Sequence, residues 1–329
     1  MRKLVVLDGN ALNPGDISWD PMMALVDELI IYNNTPKGEI LTRIGDAELI
    51  LTNKTPILRD TIEKAPNLKY VGVLATGYNI VDVEAALEKN LVVTNIPSYA
   101  TMAVAQFTIA LLLEVAWQVG HHSSVYKGGR YKETIEFCFW DFPLMELDKK
   151  VLGIVGYGAI GKATANIARA MGMKVIAYNG DRPPKESEKD YPLVNFTELL
   201  AASDVISLHA PLNKDTQGMI NKASISGMKD GVIIINTSRG GLIVEEDLAC
   251  ALLSGKVYYA AVDVLSKEPM EESNPLLKCP NCIITPHIAW APKETRQRLM
   301  NIAAQNLAAY LKGEPQNRIS SGKLSNIVL

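Results

Sequence analysis

A chain of 329 residues exceeds one compact α/β unit and accommodates two domains. Hydrophobic residues make up 48% and charged residues 21%, the balance of an ordinary globular protein. A net charge of −3, with both signs scattered along the chain, argues against nucleic acid or an anionic membrane as a partner.

The first residues enter a short apolar run at once, without the long apolar core or small-residue cleavage site of a signal peptide. The most apolar long window, residues 103–117, is interrupted by Gln106 and Glu114 and is too short for a bilayer. A cytoplasmic location is therefore expected. Four cysteines fit that setting without structural disulfides. Cys279 and Cys282 form a Cys-Pro-Asn-Cys turn. No second pair or histidine pair accompanies it, so a plain loop is expected rather than a redox or metal site.

Along the chain, short β-rich runs alternate with helical patterns, the signature of parallel sheets with crossover helices. The first part predicts strands at 4–7, 48–52, 70–74 and 92–94. Helices are predicted at 57–64, opened by Thr55 and Pro56, and at 83–89, ending near Asn90. A long helix is predicted over 101–119. Its wide apolar face, from Val104 to Leu113, suits burial between two bodies.

A second α/β series begins at Val151. Strands are predicted at 151–155, 174–178, 205–209, 232–236, 259–264 and 283–285, with helices at 160–171, 197–202, 245–253 and 292–312. Six strands with crossovers match a full dinucleotide-binding unit. Residues 120–143 have weak periodicity and many aromatics. They read as a surface loop or, on the sharper reading, as an arm that packs on a second subunit in a homodimer.

Two patterns carry chemistry. The first is Gly156-Tyr157-Gly158-Ala159-Ile160-Gly161, directly after an apolar strand and directly before a helix. Gly156 permits the turn, Gly158 admits a pyrophosphate close to the backbone, and Gly161 lets helix and strand pack. The helix N-terminus then offers unpaired N–H groups to phosphates. The following strand ends at Asn179, where an Asp or Glu is usual for NAD. Asn179 can bond a ribose hydroxyl but does not repel a 2′-phosphate. Asp181 and Arg182 stand nearby with opposite charges. NAD is expected, with NADP open.

The second pattern is a set of three strand-end residues: Arg239, Glu268 and His287. In open α/β sheets, ligands bind beyond the carboxyl ends of the strands. A guanidinium can grip a carboxylate and an adjacent ketone through its planar fork. An imidazole can donate a proton near neutral pH, and a carboxylate beside it holds the ring and favours its charged form.

At these residues the chain resembles the D-isomer-specific 2-hydroxyacid dehydrogenases, over nearly its whole length. The shared segments are Ala75-Thr76-Gly77-Tyr78-Asn79 with Val81-Asp82, the glycine turn, His209-Ala210-Pro211-Leu212, Asn236-Thr237-Ser238-Arg239-Gly240-Gly241, Val262-Asp263-Val264 with Glu268-Pro269, and Thr285-Pro286-His287-Ile288-Ala289. Within the family, His287-Ile288-Ala289-Trp290-Ala291 and Thr52-Asn53-Lys54-Thr55 look like the glycerate dehydrogenase (hydroxypyruvate reductase) branch.

The resemblance implies an α/β chain of two doubly wound, Rossmann-like and flavodoxin-like parallel-sheet domains with an active-site cleft between them. Residues 1–100 and 290–329 would form a discontinuous substrate-binding domain, and 101–289 the NAD(P)-binding domain. The implied reaction passes a hydride between NAD(P)H and a small 2-keto acid to give a D-2-hydroxy acid, with hydroxypyruvate or glyoxylate yielding D-glycerate or glycolate. Arg239 would orient substrate, His287 act as acid/base, and Glu268 tune it. The backbone of Ala75, Thr76 and Gly77 would receive the substrate carboxylate, with Trp290 walling the pocket. Cofactor contacts would come from Thr76, Ala159, Ile160, Asn179, Ala210, Pro211, Thr216, Thr237, Ser238 and Asp263, the last holding the nicotinamide carboxamide. No metal is implied. The alternatives are a non-catalytic nucleotide-binding scaffold and a co-repressor of the same fold.

Overall fold

Runs of Val, Ile and Leu flanked by turn residues form eleven strands among the residues described by the computed structural model, 2–180 and 193–320. The chain divides into two compact units. One comprises Met1–Ala100 with Trp290–Leu329, the other Thr101–Ala289.

The first unit holds five parallel strands: β1 (Lys3–Val6), β2 (Glu28–Ile31), β3 (Leu49–Thr52), β4 (Tyr70–Val73) and β5 (Val92–Thr94). Their order is β2-β1-β3-β4-β5, so the sheet reverses direction between β1 and β3. Every residue of β3 and β4 is buried, as expected of a parallel sheet covered on both faces. The helix Lys293–Leu311 returns to this unit. Tyr310 on it packs against Tyr70 of β4 with ring centroids 4.7 Å apart. Near its start, Arg296 grips Asp16 through two hydrogen bonds of 2.6 Å.

Several features of this unit differ from the expectation. The short helices Asp20–Met23 and Ile40–Ile44 are not among the expected elements, nor is β2, whose apolar run Leu-Ile-Ile is too short to stand out. The helix expected from residue 57 begins at Arg59. The Thr55-Pro56 signal is overridden because the Thr55 N–H and hydroxyl both bond the buried Asp8 carboxylate, at 2.6 and 2.9 Å. Ile57 meanwhile bridges Val81.

The second unit holds six parallel strands: β6 (Val151–Val155), β7 (Lys174–Tyr178), β8 (Val205–Leu208), β9 (Val232–Asn236), β10 (Val257–Val262) and β11 (Cys282–Ile284). Their order is β7-β6-β8-β9-β10-β11. Leu193 bridges Ala177 on the outer side of β7, a further strand reduced to one pair. With it counted, the sequential order is the 3-2-1-4-5-6 pattern of dinucleotide-binding sheets, extended by β11. The switch point lies between β6 and β8.

The helix Thr101–Trp117 lies against the helix Ala159–Ala170, and Ile109, Leu112 and Val115 join Leu152, Ile154 and Ala165 in one buried cluster. The helix expected to reach residue 119 stops at Gln118, whose φ of 48° is left-handed. The chain bends there by 55° into a second helix, Val119–Lys127, where an irregular segment was expected. His122 ties this helix to the aromatic stretch beyond it. Its Nδ1 donates to the Gln118 carbonyl at 2.8 Å, and its Nε2 accepts the Asp141 N–H at 3.1 Å. Ile135, Phe137 and Trp140 remain exposed. No single helix among the described residues is long and apolar enough to cross a membrane.

Candidate active site

The last residues of the six strands in the second unit stand in register: Tyr178 beside Val155, Val155 beside Leu208, Leu208 beside Asn236, Asn236 beside Val262, and Val262 beside Ile284. The residues that follow them therefore leave the sheet along one edge. Asn179, Gly156 and His209 lie on one half of that edge. Thr237, Asp263 and Thr285 lie on the other.

The first half is shaped for a dinucleotide. Gly156 has φ 98°, and a Cβ there would lie 2.5 Å from the Ala210 nitrogen, so the turn nestles against the end of β8. Gly161 packs the helix tightly enough that a Cβ would fall 2.2 Å from the Gly156 carbonyl oxygen. At Gly158 nothing lies within 4 Å of where a Cβ would stand. The protein itself gives no packing reason for a glycine there, whereas a bound pyrophosphate does. Gly158 is also the N-cap of the helix Ala159–Ala170 and provides no side-chain cap. The first-turn N–H groups, with Ala159 and Ile160, are thus left for a ligand anion. These residues fit a nicotinamide dinucleotide.

Asn179 stands at the end of β7 as expected, but its Oδ1 accepts the Tyr157 N–H at 3.0 Å. The amide is thereby oriented, and its Nδ2 donor is what remains for a ribose. Asp181 and Arg182 lie outside the described residues. The hydroxyls proposed for cofactor contact have protein partners. Thr216 Oγ1 donates to the Pro211 carbonyl at 2.7 Å, and Ser238 Oγ to the Ala210 carbonyl at 2.7 Å. Thr237 pairs with Thr108 at 2.9 Å. Their bonds fix the loops after β8 and β9. His209 bonds Ser207 at 2.9 Å, and burial pulls its imidazole down to about 4, which keeps it neutral.

The second half carries the titratable groups. Arg239 is half-buried after β9, in a loop braced by Asn236, which accepts the Ser238 N–H at 3.0 Å and donates to the Arg239 carbonyl at 2.8 Å. Gly240 follows, and a Cβ on it would lie 1.8 Å from the Leu265 carbonyl carbon. Only glycine lets the Arg239 loop pass so close to the loop that ends in Glu268. Glu245, a buried carboxylate that the sequence did not single out, holds that second loop through the Ser266 N–H at 2.7 Å and Asn274 at 2.8 Å.

Glu268 Oε2 lies 2.7 Å from His287 Nδ1, and Glu268 Oε1 accepts the Leu265 N–H at 3.2 Å. The carboxylate is thus aimed from its own loop at the ring. Its bond to Nδ1 leaves Nε2 as the nitrogen able to exchange a proton with a substrate. The His287 backbone is left-handed, with φ 57°.

Asp263 stabilises that backbone. Its carboxylate, 1% exposed, accepts the Thr285 hydroxyl at 2.6 Å, the Ile288 N–H at 2.9 Å and the Ala289 N–H at 2.9 Å. The sequence marked Asp263 for the nicotinamide, whereas its bonds in the structure go to the loop that carries His287.

In the first unit, Ala75 and Gly77 are half-buried and Thr76 is exposed, in the segment that follows β4. The Thr76 hydroxyl donates to the Ile96 carbonyl at 2.8 Å. Trp290 is half-buried where the chain re-enters this unit. Cys282 opens β11, and burial pushes its thiol up to about 12, far from a redox-active thiolate.

Comparison with known proteins agrees with this geometry. The profile described as D-isomer specific 2-hydroxyacid dehydrogenase, NAD binding domain, matches residues 109–289. The chain is 54% identical over 321 residues to a hydroxypyruvate reductase of Blautia hydrogenotrophica, covering 97% of this chain and 99% of that protein. It is 38% identical over 289 residues to a glycerate dehydrogenase of Methylorubrum extorquens, covering 87% and 90%. Among solved structures, a glyoxylate reductase from Paecilomyes thermophila superposes with a TM-score of 0.83 at 30% identity, covering 98% of this chain and 99% of that one.

Proposed function

Because the chain belongs to the D-isomer-specific 2-hydroxyacid dehydrogenase family, we propose that it reduces hydroxypyruvate and glyoxylate to D-glycerate and glycolate. The reaction class is NAD(P)-dependent interconversion of a 2-keto acid and its 2-hydroxy acid. A nicotinamide dinucleotide held at the glycine turn Gly156–Gly161 would supply the hydride. The observation that carries the roles of this chain's residues is the 2.7 Å pair of His287 Nδ1 and Glu268 Oε2 at the same sheet edge as the glycine turn.

In this reading His287 gives the substrate oxygen its proton from Nε2 as hydride arrives at the carbonyl carbon. Glu268 stabilises the imidazolium before transfer and holds the ring's orientation afterwards. Arg239 orients the 2-keto acid through its guanidinium. The amides of Ala75, Thr76 and Gly77 receive the substrate carboxylate, and Trp290 restricts the pocket to a short side chain. Asp263, Thr237, Ser238, Thr216, Ala210 and Pro211 shape the nicotinamide side of the cofactor site, with Asn179 at the adenosine ribose. NADH is preferred, and NADPH is accepted more weakly.

The same reading makes the protein a cytoplasmic homodimer. Its four cysteines are free, two of them exposed, which suits a reducing compartment. Exposed Ile135, Phe137 and Trp140 on the aromatic arm would be covered by a second copy.

A panel of 2-keto acids assayed with NADH and NADPH, with chiral analysis of the product, tests this function. Hydroxypyruvate and glyoxylate are expected to head the panel, with D-glycerate formed from the former. A preference for a bulky keto acid, or an L-product, would contradict it.

A further inference from the structure

The segment after β4 has an unusual division of its backbone groups. Its three successive carbonyls all point into protein donors. The Leu74 oxygen accepts Asn53 Nδ2 at 3.1 Å, the Ala75 oxygen accepts the Ile96 N–H at 2.9 Å, and the Thr76 oxygen accepts Asn95 Nδ2 at 2.7 Å. The N–H groups of Ala75, Thr76 and Gly77 have no acceptor among the described residues. A run of unpaired N–H groups beside satisfied carbonyls is a receptor for an oxyanion.

The two asparagines occupy matching places. β4 lies between β3 and β5, and Asn53 and Asn95 are the first residues after those two flanking strands. Each reaches toward the exit of β4 from its own side. Both are buried, at 5% and 8% exposure. Burying a primary amide is unfavourable unless it is bonded, and an apolar side chain would pack there without that cost.

Each asparagine is itself anchored. Asp8, two residues beyond β1, accepts the Asn53 N–H at 2.7 Å together with the N–H groups of Lys54 and Thr55, both at 2.6 Å. Its carboxylate thus closes the loop after β3 at the sheet's switch point between β1 and β3, where an open sheet of this order would otherwise present a ligand crevice. The Asn95 carbonyl accepts Asn306 Nδ2 at 3.0 Å from the helix Lys293–Leu311.

We propose that Asn53 and Asn95 are positioning residues for carboxylate recognition. By holding the Leu74 and Thr76 carbonyls inward, they turn the amides of residues 75–77 toward the substrate carboxylate. Asp8 fixes Asn53 for that task. The inference rests on the 2-keto acid reading above and adds the residues that set up its anion site.

The test compares glyoxylate with methyl glyoxylate, which keeps the reacting carbonyl and lacks the negative charge. The kcat/KM ratio of acid to ester is measured in the parent and in Asn53→Ala and Asn95→Ala, with NADH affinity measured alongside. Any unfolded fraction lowers both substrates alike and cancels in the ratio. The ratio is expected to fall by about tenfold or more in each variant, the scale of one charge-assisted hydrogen bond, through a raised KM for the acid. NADH affinity is expected to stay at the parent value. Should an alanine variant fail to fold, Asn53→Ser and Asn95→Ser serve in its place, because a seryl hydroxyl falls short of the carbonyl that the longer amide reaches. A parent that prefers the acid while the variants keep its ratio would overturn the positioning role alone. A parent that reduces neither compound would overturn the 2-keto acid reading and this inference with it.

Discussion

Asp263 Oδ2 accepts the Ala289 N–H at 2.9 Å, two residues beyond His287, while its other oxygen takes the Thr285 hydroxyl and the Ile288 N–H. One buried carboxylate thus brackets a histidine in the left-handed region, a conformation that non-glycine residues adopt only when the surroundings enforce it. Asp263→Asn keeps the shape but turns an NH2 group toward one of those donors. Turnover is expected to fall by ~10-fold or more, with about 1–3 kcal/mol lost from stability, the cost of a buried unsatisfied group. Steady-state kinetics and thermal unfolding check both, and unchanged values would remove Asp263 from this role.

Glu268 Oε2 holds His287 Nδ1 at 2.7 Å and so fixes which ring nitrogen faces the substrate. In Glu268→Gln that charge-assisted hydrogen bond is lost, and kcat/KM for glyoxylate reduction is expected to fall by ~10-fold at unchanged NADH affinity. Steady-state kinetics with NADH binding measured alongside reads this, and a parent-like kcat/KM would exclude Glu268 as the orienting group.

Asn179 uses its oxygen on the Tyr157 N–H at 3.0 Å. An aspartate there can keep that bond and add a charge that repels a 2′-phosphate. The parent is expected to prefer NADH by only about tenfold, or ~1.4 kcal/mol, and Asn179→Asp to sharpen the preference. The ratio of kcat/KM for the two cofactors checks it. No change in that ratio would place Asn179 away from the ribose.

His209 gives a pH signature of stability. Burial lowers its folded-state value to about 4, below the ordinary 6.5. The unfolded chain therefore binds a proton between those two values that the folded protein does not. The stabilisation is fully present above pH ~6.5 and is lost as pH falls toward ~4. In His209→Asn, melting temperature is expected to fall less steeply over that window. Parallel curves for parent and variant would contradict the assignment.

Much of this was legible in the sequence because the information is local. The glycine turn needs only its neighbours, and Arg239, Glu268 and His287 are visible as strand-end residues once the apolar runs are recognised. What the sequence hid depends on distant partners. Thr55 and Pro56 carry a sound helix-start signal, yet Asp8, 47 residues before Thr55, takes that threonine's N–H and hydroxyl. Gln118 turns left-handed inside the expected helix, with neither glycine nor proline at that position to announce it. The hold of Asp263 on the His287 loop is hidden in the sequence, because its donors lie 22 to 26 residues further on. Asn53, visible in the sequence only as part of the branch-like segment Thr52-Asn53-Lys54-Thr55, and Asn95 show a shared placement once β3, β4 and β5 stand side by side.

The most direct test of the central claim is the single-turnover rate of glyoxylate reduction by NADH in His287→Ala beside the parent, with NADH affinity measured by fluorescence on the same samples. His287 as the proton donor predicts a rate lower by ~10²–10⁴-fold at unchanged NADH affinity. A rate near that of the parent would contradict the account.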